Sequence, residues 1–467
     1  MFATGLLPIM GFTTWCQPPV TGCGDLWTGS PFNVSAASIY RVADRLESTQ
    51  LLAAGFTYIL LDDGWPSCDA HNPSGNGACV TQTPRLPNGD VLIDPRKFPP
   101  TRKGANDGLK VVADALHGRG IKLGIYTAPG PATCGGYTGI YQHELHDVAQ
   151  FAAAGIDFIK LDLGCGDATS LHDGTALGSL RRVGAGVKAS AHPMIFYVDA
   201  GNSNEASIWN PQSRGVVNNS HSRTHVPRNI SEEVWEFGPS IGAQMWKIWS
   251  DRFDNLASLL GVVHAHTVAG IPFRQRPGAI TTLDALTLGR APTPGSMSDG
   301  EHRIELFIYV MFSSPLVLSF DLQLWDGGVA TAEDFDDLAS GSVPSLLLNK
   351  EIIAIDQDPD VVSASLIANT GGRNPWGTDL YIKPLSTGEF AVALINKNQQ
   401  SVTMHVDMTS QPHGLFSPFT GGPDPGCSRA SVRDVVARTE LGSFEGSFNA
   451  TVAAKDARLF RFKFNFL

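Results

Sequence analysis

Short apolar runs alternate with amphipathic stretches over the first 320 residues of the chain. The segments LLAAGFTYILLDD, LHGRGIKLGIY and FAAAGIDFIKLD share one pattern: the end of an amphipathic helix, a glycine, and a β-rich apolar run. A glycine suits the left-handed residue that ends many helices, and such a run is typical of a strand buried on both faces. The predicted strands lie within residues 8–15, 51–63, 116–126, 151–162, 194–200, 244–250, 279–286 and 315–320.

Eight strands that alternate with helices predict an α/β fold of the (β/α)₈ type, the TIM barrel. We assign this barrel to residues 1–360. A doubly wound open sheet is the main alternative, but no Gly-x-Gly-x-x-Gly motif follows the first predicted strand. The chain has 467 residues, which exceeds the usual size of one domain, so we expect a second domain.

The pattern changes after about residue 360 to short alternating segments separated by turn residues. The last segment, ARLFRFKFNFL, alternates strictly, and its aromatic face consists of Phe460, Phe462, Phe464 and Phe466. Strict alternation is typical of a half-buried antiparallel strand. We therefore predict that residues 361–467 form an antiparallel β-sandwich domain.

The formal net charge of −11 argues against a nucleic-acid partner, which requires basic patches that neutralise phosphates. No apolar run approaches the length of a membrane span, so we expect no membrane partner either. An acidic surface is compatible with an uncharged ligand such as a sugar. No Gly-x-Ser-x-Gly elbow and no Walker loop occurs in the sequence.

Two of the loops contain closely spaced cysteines, Cys16 with Cys23 and Cys68 with Cys79. Such pairs favour disulfides in an oxidising compartment, while free thiols in a cytosolic enzyme remain the alternative. Acceptor sites for N-glycosylation add to the case for a secreted glycoprotein, or one in a lysosome- or vacuole-like compartment. We expect that a leader has been removed and that Met1 was added in cloning. The acceptor asparagines are Asn33, Asn218, Asn229 and Asn449.

The ends of the predicted strands carry a set of acidic, basic and aromatic residues. In a TIM barrel, side chains at the carboxyl ends of the strands face the active site. Two carboxylates on facing strands are what glycoside hydrolysis requires, one to attack or activate water and one to protonate the leaving oxygen. The sequence therefore predicts a carboxylate-rich sugar site. The residues concerned are Trp15, Asp62, Asp63, Tyr126, Lys160, Asp162, Asp199 and Asp251.

Some of these acids have a purely structural alternative. Asp62 and Asp63 precede Gly64, so they could form a turn or cap a helix. Asp251 could likewise be a helix cap. Lys160 and Asp162 point to one side of their strand, and two charges aimed the same way from an apolar strand are uncommon outside a pocket.

His264 and His266 resemble the His-x-His pair of metal-dependent barrel hydrolases, which would indicate a metal site. Their segment is predicted to be helical, and helical residues two apart do not share a face. We therefore expect ordinary histidines, no metal and no cofactor. Loss of activity with a chelator would favour the metal-dependent alternative.

Seven motifs from the N-terminus to about residue 359 resemble the melibiase family, glycoside hydrolase family 27. This family contains α-galactosidases and α-N-acetylgalactosaminidases. The motifs are PIMGFTTW, YILLDDGWP, DPRKFP, GIKLGIYTAPGPATCGG, FIKLD, SPLVLSFDL and the highly specific NKEIIAIDQDP. The resemblance implies an anomer-retaining double displacement on terminal α-galactosides, in which Asp162 of FIKLD is the nucleophile and Asp251 is the acid/base.

The resemblance also implies the roles of the sugar-binding residues. Asp62 and Asp63 match the pair that bonds the axial O4 and the O6 of galactose. Lys160 matches a lysine that reaches O3 and O4. Trp15 matches a stacking aromatic residue and Tyr126 a wall of the pocket. A disulfide between Cys134 and Cys165 is implied beneath the sugar.

The sequence departs from the family pattern around O2 and the leaving group. Gly64 replaces a disulfide cysteine, which implies that Cys68 or Cys79 pairs differently. Lys247 replaces an arginine that grips O2, and a lysine cannot form the same bidentate bond. Asp199 lies near a position usually held by glutamate. Asp284 is the remaining match to a longer acidic motif.

These departures keep other specificities open, namely N-acetylgalactosamine, β-L-arabinopyranose or release of isomaltose. A galactose-binding relative without catalysis is a further alternative, which predicts binding of the sugar without turnover.

Overall fold

The structure is a computed structural model that describes most of the chain. The described residues are 6–15, 34–71, 78–163, 176–200, 238–268, 275–289, 295–320, 322, 343–370, 376–409 and 429–464.

Eight strands form one curled sheet, in the order β10-β1-β2-β5-β6-β7-β8-β9, and the hairpin β3–β4 forms a separate sheet. Neighbours from β1 to β9 pair in parallel. Each of the eight predicted segments coincides with one strand of the large sheet, with only Thr127 lying beyond its segment, so the predicted barrel is confirmed. The strands are β1 (Met10–Thr13), β2 (Tyr58–Leu60), β3 (Cys68–His71), β4 (Cys79–Gln82), β5 (Lys122–Thr127), β6 (Phe158–Asp162), β7 (Ile195–Asp199), β8 (Met245–Lys247), β9 (Ile280–Thr281) and β10 (Leu316–Leu318).

Helices alternate with these strands, and left-handed glycines precede three of the strands as predicted. Gly55, Gly120 and Gly155 have φ of 108°, 75° and 78°. The prediction that residues 51–54 end a helix is wrong, because the first helix already ends at Ser48 and turns follow it. The described helices are α1 (Ala36–Ser48), α2 (Gly108–His117), α3 (Glu144–Ala153), α4 (Ala176–Ala189), α5 (Leu256–Val268), α6 (Asp299–Met311) and α7 (Lys350–Asp356), with a 3₁₀ helix at Val343–Leu348.

The C-terminal part of the chain is antiparallel, which confirms the predicted β-sandwich. A six-stranded sheet has the order β11-β12-β13-β18-β15-β16, and β14 pairs with β17. Phe460, Phe462 and Phe464 are buried in the core as predicted, while Phe466 lies outside the described residues. The strands are β11 (Ser365–Asn369), β12 (Thr378–Pro384), β13 (Phe390–Asn396), β14 (Val402–Asp407), β15 (Arg429–Asp434), β16 (Thr439–Glu445), β17 (Ser447–Val452) and β18 (Asp456–Phe464).

The chain divides into two compact units. The first unit comprises Met1–Arg252, Gly278–Ala285 and Val317–Trp325, and the second comprises Phe253–Pro277, Leu286–Leu316 and Asp326–Leu467. The second unit thus contains α5 and α6 together with the antiparallel sheets. The domain boundary at residue 360 stays a prediction. Within the described residues, no helix is both long enough and apolar enough to cross a membrane.

Candidate active site

Three neighbouring strands of the first unit end in charged side chains at the same level of the sheet. Asp162 ends β6, Asp199 ends β7 and Lys247 ends β8, and the three residues are paired in register. Adjacent strands lie about 4.8 Å apart, so these side chains are forced close together. The residues are 5%, 1% and 1% exposed, respectively. Burial of this much charge is expensive unless the charges compensate one another.

Lys247 joins three carboxylates. Its Nζ lies 2.5 Å from Asp251 Oδ1, 3.1 Å from Asp199 Oδ2 and 3.5 Å from Asp284 Oδ2. Burial alone would lower the pKa of Lys247, but the three carboxylates outweigh it and hold that pKa well above its usual value. These carboxylates therefore favour the charged form of Lys247, which donates hydrogen bonds to Asp251 and Asp284.

Lys160 performs the same bridging on the other side of Asp199. Its Nζ lies 3.2 Å from Asp62 Oδ2 and 3.3 Å from Asp199 Oδ2. It also lies 5.1 Å from the centre of the Tyr126 ring. Burial would lower the pKa of Lys160, yet the charges of Asp62, Asp199 and Asp162 raise it well above its usual value. The lysine and the aspartate of FIKLD thus share one side of the strand, as predicted.

The carboxylate of Asp162 accepts a hydrogen bond from Tyr126, whose hydroxyl lies 3.2 Å from Oδ2. Burial, followed by the charge of Asp199, raises the pKa of Asp162 to about 7. Lys160 and Lys247 act in the opposite direction, and Asp251 adds a further small increase. Since Asp251 contributes to this shift, the two predicted catalytic carboxylates act on each other electrostatically.

Asp62 and Asp63 follow β2 but have different surroundings. The backbone N–H of Asp62 donates to Thr14 Oγ1 at 2.8 Å, and Asp62 Oδ2 accepts from Lys160. The carboxylate of Asp63 instead accepts from Thr133 Oγ1 at 2.8 Å, and burial raises its pKa to about 6. No helix begins here, so the helix-cap alternative is wrong. The turn alternative holds in part, because Gly64 N–H donates to Asp63 Oδ1 and Gly64 has a φ of 100°.

Asp251 lies four residues beyond the end of β8, and its side chain is 29% exposed. The next helix, α5, begins at Leu256, so Asp251 is not its cap. Asp284 fixes the backbone between them, because Arg252 N–H donates to Asp284 Oδ2 at 2.9 Å. Asp284 itself has a φ of 79°, which is unusual for a residue with a side chain.

The remaining predicted site residues are only partly described. Trp15 is half-buried and lies two residues after the end of β1. Cys134 is disulfide-bonded, while Cys165 lies outside the described residues. Cys68 and Cys79 form a disulfide with one another, which confirms a pairing different from the family pattern. The other predicted pair, Cys16 and Cys23, also lies outside the described residues.

His264 and His266 lie on α5, in the helix that the sequence predicts. His266 is buried, and its Nδ1 lies 2.8 Å from the carbonyl oxygen of Val262. Over the part of the chain that the structure describes, no three His, Cys, Asp or Glu side chains are grouped to hold a metal ion.

Two threonines that contact predicted site residues are not among the residues that the sequence analysis predicts. Thr14 binds the backbone of Asp62, and Thr133 binds the carboxylate of Asp63. Thr14 directly follows a strand, which is a usable signal. Thr133 lies in a loop 70 residues from its partner, and nothing in the local pattern indicates the contact.

A family model described as alpha galactosidase A matches residues 8–358, and one for the alpha galactosidase C-terminal beta sandwich domain matches residues 376–462. The probable alpha-galactosidase of Dictyostelium discoideum is 27% identical over 431 residues, which cover 91% of this chain and 86% of the relative. Alpha-galactosidase I from Mortierella vinacea has the same fold, with a TM-score of 0.71, 20% identity, and coverage of 99% of this chain and 98% of that one.

The alpha-galactosidase from Saccharomyces cerevisiae, solved with raffinose, gives a TM-score of 0.68 at 17% identity, with coverage of 99% of this chain and 98% of that one. The family matches and the relatives, together with a TIM barrel whose strand ends carry buried carboxylates, show that this protein is a glycoside hydrolase. The chain belongs to the melibiase family, glycoside hydrolase family 27.

Proposed function

We propose that this protein is a retaining exo-glycosidase that hydrolyses terminal α-galactosides through a covalent glycosyl–aspartate intermediate. The observation that carries the proposal is the in-register row of Asp162, Asp199 and Lys247, with Asp251 bound to the lysine at 2.5 Å. The row brings both predicted catalytic carboxylates into one charged cluster at the carboxyl ends of the barrel strands.

Asp162 is the proposed nucleophile. It ends β6 as a buried residue, and the hydrogen bond from Tyr126 orients its carboxylate. Tyr126 O–H and the charges of Lys160 and Lys247 stabilise the ionised carboxylate. Burial and the charge of Asp199 still raise the pKa of Asp162 to about 7, so the ionised form that attacks is favoured above that pH. In a retaining mechanism the proton that reaches the leaving oxygen comes from the acid partner.

Asp251 is the proposed acid/base. Its side chain is more exposed than Asp162, which suits a group that must meet first the leaving oxygen and then water. Lys247 Nζ lies 2.5 Å from Asp251 Oδ1 and so fixes the position of this carboxylate. In a retaining enzyme the two carboxyl groups lie about 5–5.5 Å apart.

Asp62 and Lys160 form the proposed binding site for the O4 and O6 end of galactose. Asp62 and Lys160 already pair with each other at 3.2 Å. Together they place a carboxylate acceptor and an ammonium donor beside the ring of Tyr126. An axial O4 can reach such a pair where an equatorial hydroxyl points away. Trp15 is the proposed stacking platform, and the disulfide of Cys134 with Cys165 is the proposed floor. Raffinose, found with the yeast relative, ends in an α-linked galactose and is a suitable test substrate.

The part of the site that would face the 2-position of the sugar differs from the part that would bind O4 and O6. Lys247 donates hydrogen bonds to Asp251 and Asp284 and forms an ion pair with Asp199, so its charge is directed to these carboxylates rather than to O2. This observation favours a second candidate, namely the same mechanism with tolerance of a different 2-substituent such as the acetamido group. β-L-arabinopyranosides and isomaltose-releasing activity remain to be compared with it.

The decisive experiment measures kcat/KM on p-nitrophenyl α-galactoside, α-N-acetylgalactosaminide, β-L-arabinopyranoside and α-glucoside. We expect the α-galactoside to be preferred, and proton NMR to show the α-anomer of galactose as the first product. Release of the β-anomer would refute the retaining mechanism. Binding of galactose without turnover of any of the four would favour the non-catalytic relative.

We also propose that the protein is secreted or enters a comparable oxidising compartment. The Cys68–Cys79 disulfide supports this proposal. Among the glycosylation sites, Asn449 is exposed on β17. Digestion with an endoglycosidase after expression in a secretory host tests for a sugar at Asn449, with Asn449→Gln as the control.

A further inference from the structure

The DPRKFP motif, residues 94–99, contributes no residue to the proposed catalytic site. The structure fixes this segment against the two helices that flank it. Ala36 N–H, at the start of α1, donates to the carbonyl oxygen of Lys97 at 2.9 Å. A Cβ at Gly108, the first residue of α2, would lie 2.1 Å from the carbonyl oxygen of Phe98, so the segment and that helix are in direct contact. The motif is therefore held in place by both α1 and α2.

A cavity of about 420 Å³ lies where this segment meets the two helices. Its walls are largely apolar and include Pro99 of the motif and Val111 and Val112 of α2. The half-buried ring of Tyr40 on α1 and the exposed Arg96 also line it. Binding sites for small molecules typically have volumes of about 300–1,000 Å³, apolar walls and a few polar groups. The volume and the lining therefore suit a small-molecule ligand.

A buried carboxylate orients Arg96 at the edge of this cavity. Arg96 Nε donates to Asp94 Oδ1 at 3.0 Å, and Arg96 Nη2 donates to Asp94 Oδ2 at 2.8 Å. The side chain of Asp94 is 1% exposed, whereas that of Arg96 is 69% exposed. Such a bidentate pair fixes the plane of the guanidinium group. Within the described residues Nη1 donates to no protein group, so Arg96 offers an oriented cationic donor to a ligand.

The charge around the cavity is opposite in sign to that of the whole chain. Residues 94–107 contain four basic and two acidic residues, so their formal net charge is +2, whereas the chain carries −11. Arg102 and Lys103 are exposed, and their side chains form no hydrogen bond or ion pair in the part of the chain that the structure describes. The two acidic residues of α1 both bind Arg119, which lies beyond the end of α2. This local charge is complementary to an anionic ligand.

We propose that this cavity is a secondary binding site for an acidic saccharide, in which Arg96 binds the carboxylate of a uronic acid residue and Tyr40 packs against its pyranose ring. A planar guanidinium group matches the geometry of a carboxylate. Arg102 and Lys103 attract further carboxylates of the same saccharide. The aromatic ring and the apolar walls favour a sugar over an inorganic anion. The site goes beyond the proposed hydrolysis, because none of the residues that line it belongs to the proposed catalytic or galactose-binding set.

Isothermal titration calorimetry tests the site with trigalacturonate and with its fully methyl-esterified form, which keeps the rings but lacks the charges. Excess galactose occupies the proposed catalytic site during each titration. We expect trigalacturonate to bind at least about 10-fold more tightly than the ester, with an affinity that falls as salt rises. Equal affinity for the two, or no measurable binding of trigalacturonate, would overturn the proposal. Asp162→Asn should leave its Kd unchanged, and a loss in that variant would place the ligand in the catalytic site instead.

Substitutions in the cavity locate the bound saccharide. Arg96→Gln should weaken the binding of trigalacturonate by about 10-fold. Arg96→Lys should have a smaller effect, because a lysine keeps the charge and loses the planar fork. Tyr40→Ala should weaken binding by about 5-fold. Arg429→Gln, which removes one exposed cation from β15, is the matched control and should change the Kd by less than about 2-fold. A loss in Arg429→Gln as large as that in Arg96→Gln would show unspecific attraction and refute the site.

A second variant guards against misfolding, because Arg96→Gln removes the partner of the buried Asp94. Arg102→Gln/Lys103→Gln alters exposed side chains that have no partner within the described residues, so its Tm should equal that of the wild type. We expect about 3-fold weaker binding of trigalacturonate in this double variant. Unchanged affinity in both Arg96→Gln and the double variant would contradict the proposal. Competition by inorganic phosphate or a short oligonucleotide as strong as that by trigalacturonate would show a site for any anion and would also overturn it.

Discussion

The two ends of the barrel strands both carry charged clusters, but the clusters are built differently. At the carboxyl ends, Asp199 and Lys247 are each 1% exposed and the lysine contacts three carboxylates. At the amino ends, Asp157 precedes β6 and pairs with His117 at 2.8 Å and with His192 at 3.3 Å. The side chains of these histidines are 33% and 29% exposed. Asp199 and Lys247 are therefore much more deeply buried than the two histidines.

This difference in burial distinguishes the candidate site from a contact between partly exposed side chains. Exposed pairs are screened by solvent and contribute about 0–1 kcal/mol to stability. Buried clusters shift proton affinities, and such shifts accumulate where chemistry occurs. Charge at a strand end is therefore not sufficient to indicate function. Burial of the charged side chains and their contacts with one another distinguish the carboxyl ends of the strands from the amino ends.

The largest expected effect is the difference in kcat between substitutions of two aspartates at opposite ends of β6. Asp162→Asn removes the proposed nucleophile, so kcat on p-nitrophenyl α-galactoside should fall by about 10⁴-fold or more. Asp157→Asn changes the same residue type at the amino end, and kcat should stay within about 3-fold. Circular dichroism checks that both variants are folded. Activity of Asp162→Asn above a tenth of the wild-type value would remove Asp162 from its role.

The next effect concerns the acid/base. Asp251→Ala should lower kcat by about 10²–10⁴-fold for a poor leaving group and much less for dinitrophenolate, which needs no proton. Azide should restore turnover of Asp251→Ala and yield galactosyl azide, detectable by mass spectrometry. An unchanged dependence on the leaving group, together with no rescue, would contradict the assignment.

A smaller effect compares two lysines with the same aromatic contact. Lys160 lies 5.1 Å from the centre of the Tyr126 ring, and Lys122 lies 5.1 Å from that of Tyr58. Lys160→Met should weaken kcat/KM by about 100-fold, because it removes a proposed sugar donor and unbalances buried carboxylates. Lys122→Met should change kcat/KM by less than about 3-fold. Equal losses would mean that the aromatic contact matters more than the position along the strand.

The smallest effect is a pH dependence of stability. Burial and the charge of Asp199 raise the pKa of Asp162 from 3.8 to about 7. Between these two pH values the folded chain therefore holds a proton on Asp162 that the unfolded chain has released. The contribution of Asp162 is therefore fully present at low pH and is lost as pH rises toward 7. The Tm of Asp162→Asn minus the Tm of the wild type should therefore be greater at pH 8 than at pH 5. A difference in Tm that does not change with pH would contradict this.

The amino-acid pattern by itself determined the barrel, the sandwich and most of the candidate site. The periodicity of strands and the glycines that end helices are local features, so they can be recognised in the sequence alone. Asp162 and Lys160 could be assigned to one face of β6 from their spacing alone. The aromatic alternation of the last strand indicated which face is buried.

Only the tertiary structure decided which charges meet. Asp199 lies between Lys160 and Lys247 because three strands align in register, and register between distant strands is not encoded in any one of them. The different surroundings of Asp62 and Asp63 were likewise hidden, since adjacent residues look equivalent in sequence. The partner of Asp63 is a loop 70 residues away, and folding alone brings the two together.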